Sequence, residues 1–150
     1  VATENLPALI AQREAFATWI RRGGFIVLLG HLDPQMAKKL EELIAGNSPL
    51  HWTPIPPDHE LMRSFYLLDS LPSCNGEGWR GFQLDNRLAV ISAPFDILAA
   101  LEDRHSPGTC TEKIDNERAI RVFVNLVMVA MATDYKKDQI HLPEILKRLR

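Results

Sequence analysis

The side chains able to do chemistry fall in a few short stretches. Gly30-His31-Leu32-Asp33 follows the apolar run FIVLL at 25–29. If that run is a strand of an open α/β sheet, the turn lies at its carboxyl end, where such folds gather ligands and catalytic groups. His31 there is a base or a ligand, or else a loop residue bonded to backbone. Asp33 precedes Pro34 and reads as the cap of the helix that follows. Asp58-His59-Glu60 is a polar triplet behind a proline-rich connector. It offers an acid/base pair or metal ligands, or Asp58 simply caps a short helix. Asp96 follows the run RLAVISAPF and either reaches a strand-end site or caps the helix begun by ILAA. The candidate ligand-binding set is therefore His31, Asp33, Asp58, His59 and Asp96.

Motifs that would specify a reaction are absent. The sequence holds no HExxH, CxxC, P-loop or GxGxxG, so no metal site and no cofactor is expected. His51, His105 and His141 are scattered without ligand spacing. Cys74 and Cys110 lie in separate loop-like stretches, SLPSCNGEG and HSPGTCTEK. Two cysteines are too few for a four-cysteine zinc site; they are two loop thiols or one disulfide in an oxidising compartment.

The elements that must position these residues read as a mixture of helix and strand. A helix is expected over 7–22, stopped by Gly23-Gly24, and a second over 34–45, capped by Asp33-Pro34. Between them FIVLL, apolar throughout, reads as an interior parallel strand buried on both faces. The four prolines of SPLHWTPIPPDHE make an extended connection, and HELMRSFYLL has room for one or two helical turns. GFQLD and RLAVISA flank Asp85-Asn86 as a β-hairpin. A short helix is expected near 95–103. The longest begins at Asp115 or Asn116 and reaches about Thr133, apolar on both sides, with a strand over VFVNLVMV as the competing assignment. Residues 134–150 read as a C-terminal tail.

The 150 residues are 46% hydrophobic and 24% charged, with net charge -2, which fits a globular domain and excludes a basic nucleic-acid footprint. No apolar run approaches the ~20 residues that cross a bilayer, so no direct membrane span is expected in this segment. The chain begins at Val1 and is expected to be a portion of a longer protein.

Four strings in order, AFATWIRRGGFIVLL, PIPPDHELMRSFYLL, RLAVISAPFD and ERAIRVFVNLVMVAMATDYKKDQIHLPEILKRL, resemble a bacterial family of unknown function. Its members resemble the class I glutamine-amidotransferase-like fold, a flavodoxin-like three-layer α/β sandwich, and often close a membrane protein whose front end is BatA-like, of the aerotolerance type. The resemblance implies a mainly parallel sheet, strands upstream of residue 1, and a soluble domain of a cell-envelope protein. Leu29-Gly30-His31 stands where an amidotransferase has its cysteine nucleophile, so glutaminase activity is not expected. The expectation is a non-catalytic module that binds a protein partner, the rest of its parent protein or a second copy. Its contact would be a sheet edge or the tail, with Ile140, Leu142, Ile145, Leu146 and Leu149. The alternative is a hydrolase or small-molecule sensor with a strand-end pocket around His31, His59 and Asp96.

Overall fold

The computed structural model describes residues 2–45, 51–84, 87–102, 110 and 114–148, of which 133–148 through the backbone. It is a mixed α/β structure. A 3-10 turn at Thr3–Asn5 leads into α1 (Leu6–Ala11) and α2 (Arg13–Arg21). Then come β1 (Ile26–Leu29), α3 (Pro34–Ala45), β2 (Thr53–Pro54), a second 3-10 turn (Glu60–Met62), β3 (Arg80–Leu84), β4 (Arg87–Ala93), α4 (Ile97–Leu101) and α5 (Asn116–Arg148).

The four strands form one open sheet in the order β1-β4-β3-β2. The expected β3–β4 hairpin is present, and its turn residues Asp85 and Asn86 lie outside the described residues. The sheet is mixed rather than mainly parallel. β1 and β4 run parallel, with Ile26 opposite Val90 and Leu29 opposite Ala93, while β4–β3 and β3–β2 are antiparallel. A hairpin can pair only antiparallel, so the β3–β4 connection already limits how parallel this sheet can be.

β1 is an end strand of this order, not an interior one; β4 is interior. Its apolar sequence reports burial of its two faces, not the number of its neighbours. Ile26 and Leu28 join a cluster with Leu6, Phe16, Ile20 and Leu40 from α1–α3. Leu29 joins a second cluster with Ile97 of α4, Val122 and Leu126 of α5, and Trp79. The consecutive β4 residues Val90 and Ile91 divide between the same two clusters, as side chains alternating across a strand must. Ala2 adds a parallel bridge to Leu29 on the β1 side.

The helix expected over 7–22 is interrupted at Gln12, whose φ of -93° and ψ of 47° leave the helical region. Arg87 of β4 closes the end of α2: its guanidinium donates to the carbonyls of Ile20 and Gly24. The Ile20 carbonyl, in the last turn of α2, also accepts from the N–H of Gly23, and Gly24 lies just beyond the helix, so Arg87 fastens the end of α2 to β4. α3 spans the expected 34–45. α5 is a helix over the stretch where a strand competed, and it continues to Arg148 through the segment read as a tail.

One polar side chain ties α5 to the connector before β3. Asn125 is fully buried. Its Oδ1 accepts from the backbone N–H groups of Phe65 and Tyr66, at 3.2 and 2.8 Å. Its Nδ2 donates to the carbonyls of Leu61 and Tyr66, both at 2.8 Å. Ser64 adds a bond from its hydroxyl to the Asn125 carbonyl at 3.0 Å. An amide offers two donors and two acceptor lone pairs, and here all four positions are filled. Asn125→Ala strands those backbone groups in a dry interior, so it should cost roughly 2–4 kcal/mol of stability. Urea unfolding at constant m-value measures it; a loss below that range would mean that the amide is not buried as described.

Candidate functional site

Three of the five candidate residues do structural work at helix starts. Asp33 Oδ1 accepts from the N–H groups of Gln35 and Met36, at 2.9 and 3.1 Å, at the first turn of α3. Asp96 Oδ1 accepts from Leu98 and Ala99, at 3.0 and 3.2 Å, and caps α4. His59 Nδ1 accepts from the N–H of Leu61 at 3.1 Å and caps the second 3-10 turn. The cap there is His59, not the Asp58 read from the sequence; Asp58 is exposed. The ring succeeds because His59 sits in extended backbone directly before the turn, the place from which a side chain reaches the next free N–H.

His31 is exposed at the end of β1, and its Nδ1 lies 3.0 Å from Glu77 Oε2. Glu77 is brought there by a tight hairpin turn. Cys74 and Glu77 exchange both backbone hydrogen bonds, and Asn75 and Gly76 between them have φ of 50° and 78°. Asn-Gly is the pair that tolerates positive φ at both central positions. Cys74 is joined by a disulfide to Cys110, with their Cα atoms 5.2 Å apart. The disulfide therefore fastens the turn that carries Glu77 to the segment ahead of α5. Among the described residues no group of three His, Cys, Asp or Glu side chains is placed to hold a metal ion.

Two surface grooves are lined by other residues. A polar one of about 270 Å³ lies at the start of α5, where Arg118 donates to the Ser70 hydroxyl at 2.8 Å and Arg121 stands over the Tyr66 ring. A larger one, about 490 Å³, runs between α1, α2 and β1, lined by Leu9, Phe16, Trp19, Phe25, Ile26 and Val27 among others. Trp19 is 49% exposed although its ring is held against the backbone. A Cβ built on Gly24 would lie 2.6 Å from the Trp19 ring, so glycine is what allows the indole to lie flat on the chain there. Sequence reasoning reads Gly23-Gly24 only as a helix stop and passes over Trp19 and Arg87. The pairing of Glu77 with His31, 46 residues away, leaves no trace in local spacing.

A family described as a domain of unknown function, DUF4159, matches residues 2–131. The chain belongs to the DUF4159 family. The match holds both the connector around residues 58–68 and the part of α5 that carries Asn125. No curated protein matches the chain.

The caps and the disulfide make separate expectations. Asp96→Ala should lower stability by about 1 kcal/mol, and Asp96→Asn by much less, because asparagine also accepts at that position. The disulfide closes a loop spanning 36 residues, so Cys74→Ala with Cys110→Ala should cost roughly 3–4 kcal/mol. Calorimetry on the Asp96 variants, and on the oxidised, reduced and doubly substituted protein, measures both. Equal melting of oxidised and reduced protein would contradict the role given to the bridge.

Proposed function

We propose that this domain works by contact and not by catalysis: a binding module whose recognition surface is the apolar groove beside β1. The observation that carries this reading is Trp19, a large half-exposed aromatic ring held over Gly24 at the wall of that groove. Exposed aromatics fixed in place at little entropic cost are the usual anchors of protein contacts. The groove lies alongside the end strand of the sheet, and the Ala2–Leu29 bridge sets a parallel direction for extended chain there. The occupant in this reading is an extended apolar segment of a protein partner or of the rest of the parent protein, bound by strand addition.

The polar chemistry supports the same reading. Asp33, His59 and Asp96 spend their side chains on backbone caps, and both cysteines of the sequence are joined in one disulfide, which leaves no thiolate for a glutaminase. The alternative of a hydrolase or sensor pocket around His31, His59 and Asp96 has support only in the exposed His31–Glu77 pair. The finer classification proposed here is the flavodoxin-like, amidotransferase-like three-layer sandwich, in a BatA-like parent at the cell envelope. It is supported by the four sequence strings, by the two buried clusters that share alternate residues of β4, and by a disulfide, which suits an oxidising compartment. No helix among the described residues is long and apolar enough to cross a membrane.

Peptides displayed on phage test the reading. Selection on the wild-type chain should enrich short segments of alternating apolar residues, and Trp19→Ala should weaken their binding at least tenfold while the fold persists by circular dichroism. Enriched peptides that bind Trp19→Ala equally well, or ammonia released from glutamine by the pure protein, would contradict it.

A further inference from the structure

We propose that the outward stripe of α5 is an interface with a second copy of this chain, laid antiparallel along it. α5 carries two apolar stripes. Ala119, Val122, Leu126 and Val129 are buried against the body. On the other side Ile120, Phe123, Val127 and Met131 recur at helical spacing, with Met128 beside them, and their exposure runs from 37% at Phe123 to 67% at Met131. A row of large apolar side chains over three helical turns is more than a surface that meets only water carries.

Among the described residues nothing covers this stripe. α5 continues as one helix from Asn116 to Arg148, so the residues after Met131 leave along the same axis instead of folding back over it. A second α5 fits the stripe by its own spacing. A two-fold axis between Asn125 and Leu126 sets Ile120 opposite Met131, Phe123 opposite Met128 and Val124 opposite Val127. These three pairs are apolar on both sides, as an isologous contact requires, and the same register sets Arg121 opposite Ala130. The charges nearest its amino-terminal end are already engaged: Arg121 pairs with Glu117 and stands over Tyr66, so neither is stranded at the rim. The two methionines are the flexible members, able to fill the space around Phe123 and Ile120 of the partner copy. A standard specific interface takes roughly 800 Å² from each partner, and these five side chains supply about half of that. The pairing is therefore a reversible, concentration-dependent dimer and not an obligate one. It uses a different surface from the β1 groove, and either can fail without the other.

Sedimentation velocity of the full 150-residue chain, from low micromolar to submillimolar concentration, reads the association. The expected result is a monomer–dimer equilibrium that Val127→Glu weakens at least tenfold with an unchanged circular dichroism spectrum. Oxidative cross-linking fixes the direction: Ile120→Cys chains mixed with Met131→Cys chains should join to each other, and neither to itself. A monomer at every concentration, a dimer indifferent to Val127→Glu, or self-joining of Ile120→Cys would each overturn the proposal.

Discussion

The amide of Asn125 is the interaction on which the described part of this fold depends most. A polar side chain at zero exposure costs stability unless its groups are bonded, and this one is bonded at all four positions to the backbone of residues 61–66. Those residues belong to a connector with no long helix or strand of its own, so few of its backbone groups find ladder partners. α5 supplies them through one side chain. Once residues 61–66 are fixed, Leu61 and Met62 enter the core beside Val122 and Leu126, and Trp79 is tied back to the Pro72 carbonyl at 2.8 Å. Two of the four strings that carry the family resemblance, PIPPDHELMRSFYLL and the one beginning ERAIRVFVNLVM, thus hold the two halves of one clasp.

The clasp bears on where function lies. Three of the five candidate ligand-binding residues hold backbone, Asp33 and Asp96 at helix starts and His59 at a single turn, and Cys74 and Cys110 close a disulfide. Two apolar surfaces stay exposed. Trp19 at the groove beside β1 and the outward stripe of α5 both expose large side chains on regular elements, where their positions are set by the backbone rather than by a loop. On the reading proposed above, these two exposed apolar surfaces are where the domain meets its partners.

How far this was legible can be followed residue by residue. α3 was readable because Asp33-Pro34 is a complete local start signal and Met36, Leu40 and Ile44 mark one face. The β3–β4 hairpin was readable from two apolar runs around Asp85-Asn86. The place of β1 in the sheet was not, because an apolar run registers what covers a strand's faces and is silent on its edges. The break at Gln12 has no breaker residue behind it, so no signal existed. The tight turn at Asn75-Gly76 did announce itself by composition, yet its product, Glu77 against His31, needs the tertiary fold. Asn125 was the signal most open to use: a lone amide among VFV and LVMV must find partners, but only the structure names Leu61, Phe65 and Tyr66.

Native-state hydrogen exchange at the Phe65 and Tyr66 amides tests the clasp most directly. Both N–H groups donate to a side chain sealed inside the core, so neither should exchange until α5 separates from the connector. The predicted result is protection of these two amides comparable to that of the Val122 and Leu126 amides in α5, lost together with it in Asn125→Ala. Exchange at the rate of an open surface loop, while α5 stays protected, would contradict the account.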